Sequence, residues 1–353
     1  MRLKTQKREK TSRWVSVVVP ISSILLSLVA VGVIFLGYGI NPWVAYTQIF
    51  RAAFGSYYGI SETFVKTIPL LLCSLGLVVA FKAQIWNIGA EGQLFMGAIA
   101  STWVALSFPD MSAFLLLPIM FVVGFMAGAF WGIIPGILKA KLQTNEVITS
   151  LMFTYVAAKL LEYLVYGPWR EPGALGGFPH TPIFSSSAQL PRIPGTRLHY
   201  PTLIIGLILA GVLFILLRRT KIGYEIRVTG DSQEAARYAG MNYLKTVAFV
   251  MAVSGGLAGL AGVGEVAGIQ HRLRKGISPG YGFTAIIVAW LGRLNPIGTL
   301  FSSILFGGLL VGGDMIQVSL GLPVAVIHIF NGIMLFFVLG GEIFLNYEVK
   351  WKR

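Results

Sequence analysis

The sequence predicts an all-α, polytopic membrane protein with about ten transmembrane helices, and three observations carry that class. Of 353 residues, 55% are hydrophobic and only 12% are charged, whereas an average soluble domain carries roughly 25% charged residues. Ten apolar runs recur along the chain, most of them close to the ~20 residues that a bilayer span needs. The 28 Lys and Arg outnumber the 14 Asp and Glu, for a net charge of +14, and most of them fall in alternate polar gaps, as cytoplasmic loops of membrane proteins require. An ordinary soluble enzyme, a disordered chain and a nucleic-acid-binding domain are excluded, because no soluble core absorbs this much apolar material. The lone cysteine, Cys73, lies inside an apolar run and permits no intrachain disulfide.

The runs occupy 14–37, 63–81, 88–106, 114–138, 147–166, 201–217, 248–269, 283–291, 297–318 and 324–344. The first follows the basic stretch Arg2, Lys4, Lys7, Arg8, Lys10 and Arg13. Its length and the lack of a small-residue cleavage site make it a retained anchor rather than a signal peptide. A polar interruption, Gln84 to Gln93, separates the second and third runs. Along the fourth, Gly124, Gly128, Gly132 and Gly136 recur every four residues, a spacing that lets helix backbones approach closely, within the subunit or at a dimer seam. The sixth run ends at Arg218 and Arg219 and opens the longest inside loop. After the seventh comes a second interruption, Gly276 to Phe283, rich in Gly and Pro. The eighth run spans only ~14 Å at 1.5 Å per residue, so a short or tilted helix beginning near Ser278 is expected.

Each interruption follows the second span of a five-span half. That predicts a 5+5 inverted repeat with two broken or short helices, whose breaks mark the substrate path; plain tight turns are the competing reading. With all ten runs crossing, both termini are cytoplasmic. The chain then divides into a basic tail at 1–13, a single transmembrane domain at 14–346 and a tail at 347–353. Within the domain, 167–200 is an extracytoplasmic loop and 218–245 a cytoplasmic one.

Several motifs are absent. There is no phosphate-binding loop of the G-x-x-x-x-G-K-[ST] type, so ATP is not bound by this chain in that manner. The four histidines, His180, His199, His271 and His328, lack metal-ligand spacing, and no metal site is expected. Gly262 to Ala267 matches a dinucleotide fingerprint only loosely, with no strand before it. No potassium-type filter or voltage-sensing Arg ladder occurs.

The inside loop carries information. Asp231 or Ser232 is placed to cap a helix, Glu234 suits its first turn and Gly240 its end. The expected two-turn helix, with Ala235, Ala236 and Ala239, suits insertion into a partner's groove; rest on the bilayer surface is the alternative.

This loop, with Gly223, Arg227, Gly230, Ala235, Ala236 and Gly240 in order, resembles the coupling loop of permease subunits in bacterial ATP-binding cassette importers of the branched-chain amino acid, simple sugar and nucleoside group. Phe81 to Gln93 and Ser278 to Phe283, running on to Leu291 through Pro296, resemble its sugar and nucleoside branch. Asn145 to Met152 is similar to a segment of the nucleoside permeases. The resemblance implies a permease for a nucleoside or, alternatively, a simple sugar, in the bacterial cytoplasmic membrane. It implies separate ATPase subunits that bind ATP and Mg, a second related permease forming a heterodimer or homodimer, an extracytoplasmic binding protein or lipoprotein, and no cofactor in this chain.

On that footing Gly223, Arg227, Gly230, Asp231, Glu234, Ala235, Ala236 and Gly240 are expected to couple to the ATPase. Trp86, Asn87, Glu91, Gln93, Tyr281, Phe283 and Trp290 are expected along the substrate path, since polar groups in a membrane are costly and aromatic faces stack on bases. The competing expectation is that Asn87 and Glu91 only satisfy broken-helix backbone and each other. Glu265, and Asp314 with Gln317, are secondary candidates. Arg170, Arg192, Arg197, Arg272, Arg274 and Lys275 lie outside against the charge rule, which suits docking of an acidic binding protein; local pairing, as of Arg170 with Glu171 in a proline-stiffened lid, is the alternative. A secondary transporter coupled to protons or sodium through Asn87, Glu91, Glu265 and Asp314 is the reading of another class. It leaves the capped inside loop without a task.

Overall fold

A computed structural model describes residues 2–7, 13–173 and 179–352. Part of the basic N-terminal tail, including Arg8 and Lys10, part of the outer loop at 174–178, and Arg353 lie outside the described residues. In chain order the elements are β1 (Arg2–Lys7), α1 (Arg13–Gly37), α2 (Pro42–Phe54), α3 (Tyr57–Lys82), α4 (Ala90–Ser107), α5 (Ala113–Leu142), α6 (Glu146–Tyr166), α7 (Tyr200–Arg219), α8 (Lys221–Asp231), α9 (Gln233–Tyr238), α10 (Tyr243–Val263), α11 (Tyr281–Leu291), α12 (Pro296–Leu320), α13 (Val324–Asn346) and β2 (Tyr347–Lys352). A single 3₁₀ turn lies at Ser186–Ala188, and a π-helical turn, Gly264–Gln270, continues α10.

The chain forms two compact units, one from residues 1–60 and 308–353, the other from Ser61–Gly307. In the first, α1 bends by 115° into α2. The sequence reading did not separate α2, although its start is locally encoded. Asn41 Oδ1 accepts the Trp43 N–H at 2.9 Å, and Pro42 occupies the first turn, where no N–H is needed. Helices α1 and α13 pack together. A Cβ on Gly341 would stand 2.2 Å from Ser23 Oγ, and Ser27 reaches Met334 Sδ at 3.2 Å. Within the two tails, β1 and β2 pair antiparallel, Arg2 opposite Lys352 through Lys7 opposite Tyr347.

In the second unit α10 is the central helix, packed on α4 and α5. The glycine ladder explains how. A Cβ on Gly128 would stand 2.2 Å from the Gly255 carbonyl oxygen, and one on Gly255 2.3 Å from that of Gly128; a Cβ on Gly259 would stand 2.3 Å from the Gly124 carbonyl oxygen, and one on Gly124 2.2 Å from Val263 Cγ2. The small residues are therefore used inside the subunit, where only glycine allows backbone to meet backbone.

Among the described residues six helices are long and apolar enough to cross a membrane, or seven if the bent pair of α1 and α2 counts as one span. The sequence reading gives ten runs, and two of them, α4 and α11, fall short for physical reasons. Helix α4 carries Glu91 and Gln93 in its first turn. Helix α11 has 11 residues, about 16 Å against a ~30 Å hydrocarbon core. Its start is displaced from Ser278 to Tyr281 because Ser278 acts as a cap, its Oγ accepting the Gly280 and Tyr281 N–H groups at 3.2 and 3.0 Å.

Candidate substrate path and coupling surface

The first interruption turns sharply at Gln84, whose φ of 57° is left-handed, with the Ile85 N–H returned to the Ala80 carbonyl at 3.1 Å. Asn87 follows, fully buried. Its amide nitrogen donates to Gln93 Oε1 and Ser254 Oγ, both at 2.9 Å, while its Oδ1 accepts from the Gly89 N–H and from Gln93 Nε2, both at 3.0 Å. Two donors and two acceptor positions are thereby filled, so Asn87 has no capacity left for a ligand.

Glu91 opens α4 and reaches the second interruption. Its Oε2 accepts the Gly282 N–H at 2.6 Å, and Ser278 and the Gly280 backbone also hydrogen-bond the carboxylate. An acceptor here satisfies N–H groups at the start of α11 that have no partner within the helix. The approach is close: a Cβ on Gly282 would stand 2.3 Å from the Glu91 nitrogen. Trp86 and Trp290 make the same connection, their rings stacked at 5.7 Å, with Phe81 stacked on Trp290 at 5.8 Å. These ring faces cover one another. Phe283 stands apart at 40% exposed.

Two further segments join. The Ile88 N–H donates to Ser150 Oγ at 3.1 Å, which brings in the stretch from Asn145, itself the cap of α6 through Val147 N–H at 3.0 Å. From the inside loop, Gly230 presses on the start of the first interruption, where its Cβ would lie 2.2 Å from the Lys82 carbonyl oxygen. The four segments singled out in the sequence thus meet in one unit.

Beside Tyr281 opens a polar pocket of about 390 Å³ lined by Lys66, Arg197, Glu265, Gln270, Arg272 and Arg274 among others. Lys66 Nζ lies 5.9 Å from the centre of the Tyr281 ring, a cation–π contact. Arg197 is held in a two-pronged pair with the buried Glu62, Nε to Oε1 at 2.9 Å. Glu265 sits on the π-helical turn, a local irregularity that recurs at functional sites. Sequence reasoning missed Lys66 and Glu62; the signal was a cation and a carboxylate at the edge of an apolar run.

The outer cations divide. Arg192 caps the π-turn, donating to the Gly268 and Ile269 carbonyls at 2.8 and 3.1 Å and contacting His271 Nε2. Burial, and then the charge of Arg192, hold the His271 ring below the usual histidine pKa, which keeps it able to accept. Lys275 pairs with Glu162 at 2.9 Å, while Arg272 reaches His180 Nε2 at 3.3 Å. Glu171 pairs with His180 at 3.0 Å; Arg170, which has an interaction of its own, is exposed on the same loop. Asp314 and Gln317 lie in the other unit, Asp314 exposed.

The inside loop holds two helices where one was expected. Thr220 caps α8, its Oγ1 accepting the Gly223 N–H at 3.1 Å, and Ser232 rather than Asp231 caps α9, accepting the Ala235 N–H at 3.2 Å. Gly223 packs on α7, where a Cβ would stand 2.1 Å from the Leu216 carbonyl oxygen. On α9, Ala236 points inward while Glu234, Ala235 and Arg237 are exposed, and Gly240 ends the loop with φ of 75°. Tyr238, unremarked in the sequence, is 98% exposed.

Apolar spans, interrupted helices with close glycine contacts and a polar pocket within the spanning unit define a membrane-embedded transport subunit. Residues 59–339 match the family described as branched-chain amino acid transport system / permease component, and the chain belongs to it. It is 36% identical to the glucose ABC transporter permease protein of Haloferax volcanii over 98% of this chain and 93% of that one. It is 34% identical to the guanosine ABC transporter permease protein of Bacillus subtilis, covering 91% and 92%, and 34% identical to a nucleoside ABC transporter permease protein of Lactococcus lactis subsp. cremoris, covering 91% and 90%. The chain is therefore an ABC transporter permease, a transport component without its own ATPase site, and the ion-coupled secondary transporter gives way to that membership.

Proposed function

We propose that this permease carries a nucleoside inward across the bacterial cytoplasmic membrane, driven by ATPase subunits that bind ATP and Mg and fed by an extracytoplasmic binding protein or lipoprotein. A second, related permease completes the pore. The observation that carries this reading is a contact chain: α8 touches the first interruption through Gly230 and Lys82, and that interruption holds α11 through Glu91 and Gly282. Tyr281, in the first turn of α11, lines the polar pocket. Displacement of the inside loop by an ATPase is thereby passed to the pocket wall, which is the requirement of alternating access.

In this reading ten runs cross in two opposed sets of five, and both termini are cytoplasmic. The β1–β2 pairing supports a common side for the termini. The pocket supplies hydroxyl, amide and carboxylate groups suited to ribose, and the Tyr281 ring suits a base. A simple sugar is the second reading, favoured by the 36% identical glucose permease.

Reconstitution with the partner subunits tests both. ATP-dependent uptake of labelled guanosine, unaffected by excess glucose, is the expected result; uptake of glucose alone moves the assignment to sugars. Tyr238→Ala is expected to lower ATPase assembly at least tenfold, the weight of an exposed aromatic anchor at an interface, while the permease keeps its melting temperature. Unchanged assembly and stimulated ATP hydrolysis would remove α9 from the coupling surface.

A further inference from the structure

We propose that a basic pocket at the ends of α3 and α7 and the start of α12 binds the phosphate headgroup of an anionic membrane lipid. The pocket encloses about 580 Å³, and Lys82, Arg218, Arg219, Arg227 and Arg293 line it without any carboxylate in the lining. Like charges gathered on one wall repel one another, and the nearby Asp231 carboxylate offsets Lys82 only in part, since Arg227 and Arg218 act on Lys82 more strongly. Among the described residues, no carboxylate stands within 4 Å of Lys82, Arg218, Arg219 or Arg227. Arg218 is held in position over the Phe214 ring, 4.4 Å from its centre.

The backbone of the pocket is an independent sign. Arg293 and Leu294 are both left-handed, with φ of 56° and 49°, a conformation that side-chain-bearing residues rarely adopt in succession. Strained backbone of this kind persists at ligand clamps. Here it is fixed by the Arg293 N–H on the Trp290 carbonyl at 2.8 Å and the Leu294 N–H on the Ala289 carbonyl at 3.0 Å. Asn295, next in line, spends its Oδ1 on the Ile297 N–H at 3.1 Å, which leaves its amide N–H groups as donors.

The surroundings distinguish a lipid from a soluble anion. On α7 the stripe that ends at Arg219 runs back through Ile215, Val212 and Ile208, which are 57%, 49% and 58% exposed; on α12 Ile297, Phe301 and Leu305 are 39%, 68% and 37% exposed. Apolar tracks on both helices lead to the cations, so an acyl chain lies along them while its phosphate enters the pocket. Basic pockets between spanning helices take anionic headgroups in this way. The inference rests on placement in a membrane and is independent of the substrate.

Native mass spectrometry of the full chain in detergent, titrated with phosphatidylglycerol or phosphatidylcholine, tests it. Selective retention of phosphatidylglycerol is expected. The double variant Arg218→Gln and Arg219→Gln is expected to lose about thirtyfold in apparent affinity, the scale of two charges at an anionic surface. Arg218→Lys with Arg219→Lys should retain most of it, and Lys350→Gln with Lys352→Gln, an equal loss of charge elsewhere, should change little. Equal binding of both lipids, or an equal loss in both Gln variants, overturns the proposal. So does competition by free inorganic phosphate as strong as that of the lipid, which would make the site one for a soluble anion. Displacement of the lipid by the ATPase subunits, with the Arg218→Gln and Arg219→Gln pair weakening that assembly, overturns it in favour of a protein contact.

Discussion

Two polar regions of the spanning unit, one neutral and buried around Asn87 and one charged and partly open around Glu265 and Tyr281, differ in what their atoms do. Around Asn87 every amide position is filled by Gln93, Ser254 or backbone. Around Glu265 and Tyr281 the side chains surround a pocket of about 390 Å³. The contrast teaches that polarity in a membrane segment is not by itself a sign of a substrate contact. A polar group whose hydrogen bonds are all spent holds the helices together, whereas one that borders empty volume retains capacity for a ligand.

Substitutions that separate folding from transport break or sharpen this contrast. The largest effect is expected of Asn87→Leu, which strands the partners of the amide pair. Each buried polar group left unpaired costs about 1–3 kcal/mol, so thermal unfolding in detergent should fall by many degrees and uptake should follow it down. A variant that unfolds like the parent would show that the network is not structural. Glu265→Gln is expected to act in the opposite sense, with unfolding nearly unchanged and the initial uptake rate reduced about tenfold, equivalent to a loss of 1.4 kcal/mol. Should its stability drop as for Asn87→Leu, the two regions are of one kind. The smallest effect is expected of Tyr281→Phe, which keeps the ring and removes one neutral hydrogen-bonding group, worth about 0.5–1.5 kcal/mol. Its uptake of a nucleoside should fall about fivefold, the middle of that range, whereas Tyr281→Ala should remove the stacking surface and cost more.

The parts of the fold that are encoded locally were legible. Polar residues marked the first interruption, Gly and Pro the second, and Gly240 the end of α9, where φ is 75°. The short eighth helix followed from run length alone. Contacts through space were not legible. Nothing in one sequence states that Glu91 caps α11 or that Gly124 and Gly128 face Gly259 and Gly255, because each is set by which helices become neighbours. Helix α8 was missed for another reason: its polar composition, Lys221 to Asp231, resembles a loop, and its helicity depends on the Thr220 cap and the packing of Gly223 on α7. Asn87 and Glu91 stood out as polar groups in an apolar stretch, but whether such groups face a ligand or a neighbour is a matter of remaining hydrogen-bond capacity, which only the assembled helices define.

The stacked indoles of Trp86 and Trp290, 5.7 Å apart and tilted by 26°, have an optical consequence. Two such chromophores in van der Waals contact couple excitonically, giving a near-ultraviolet circular dichroism couplet whose sign and strength follow their separation and angle. One indole belongs to the first interruption and the other to α11, so the couplet reports their relative motion. Any shift of one segment against the other would change that couplet, with no label attached.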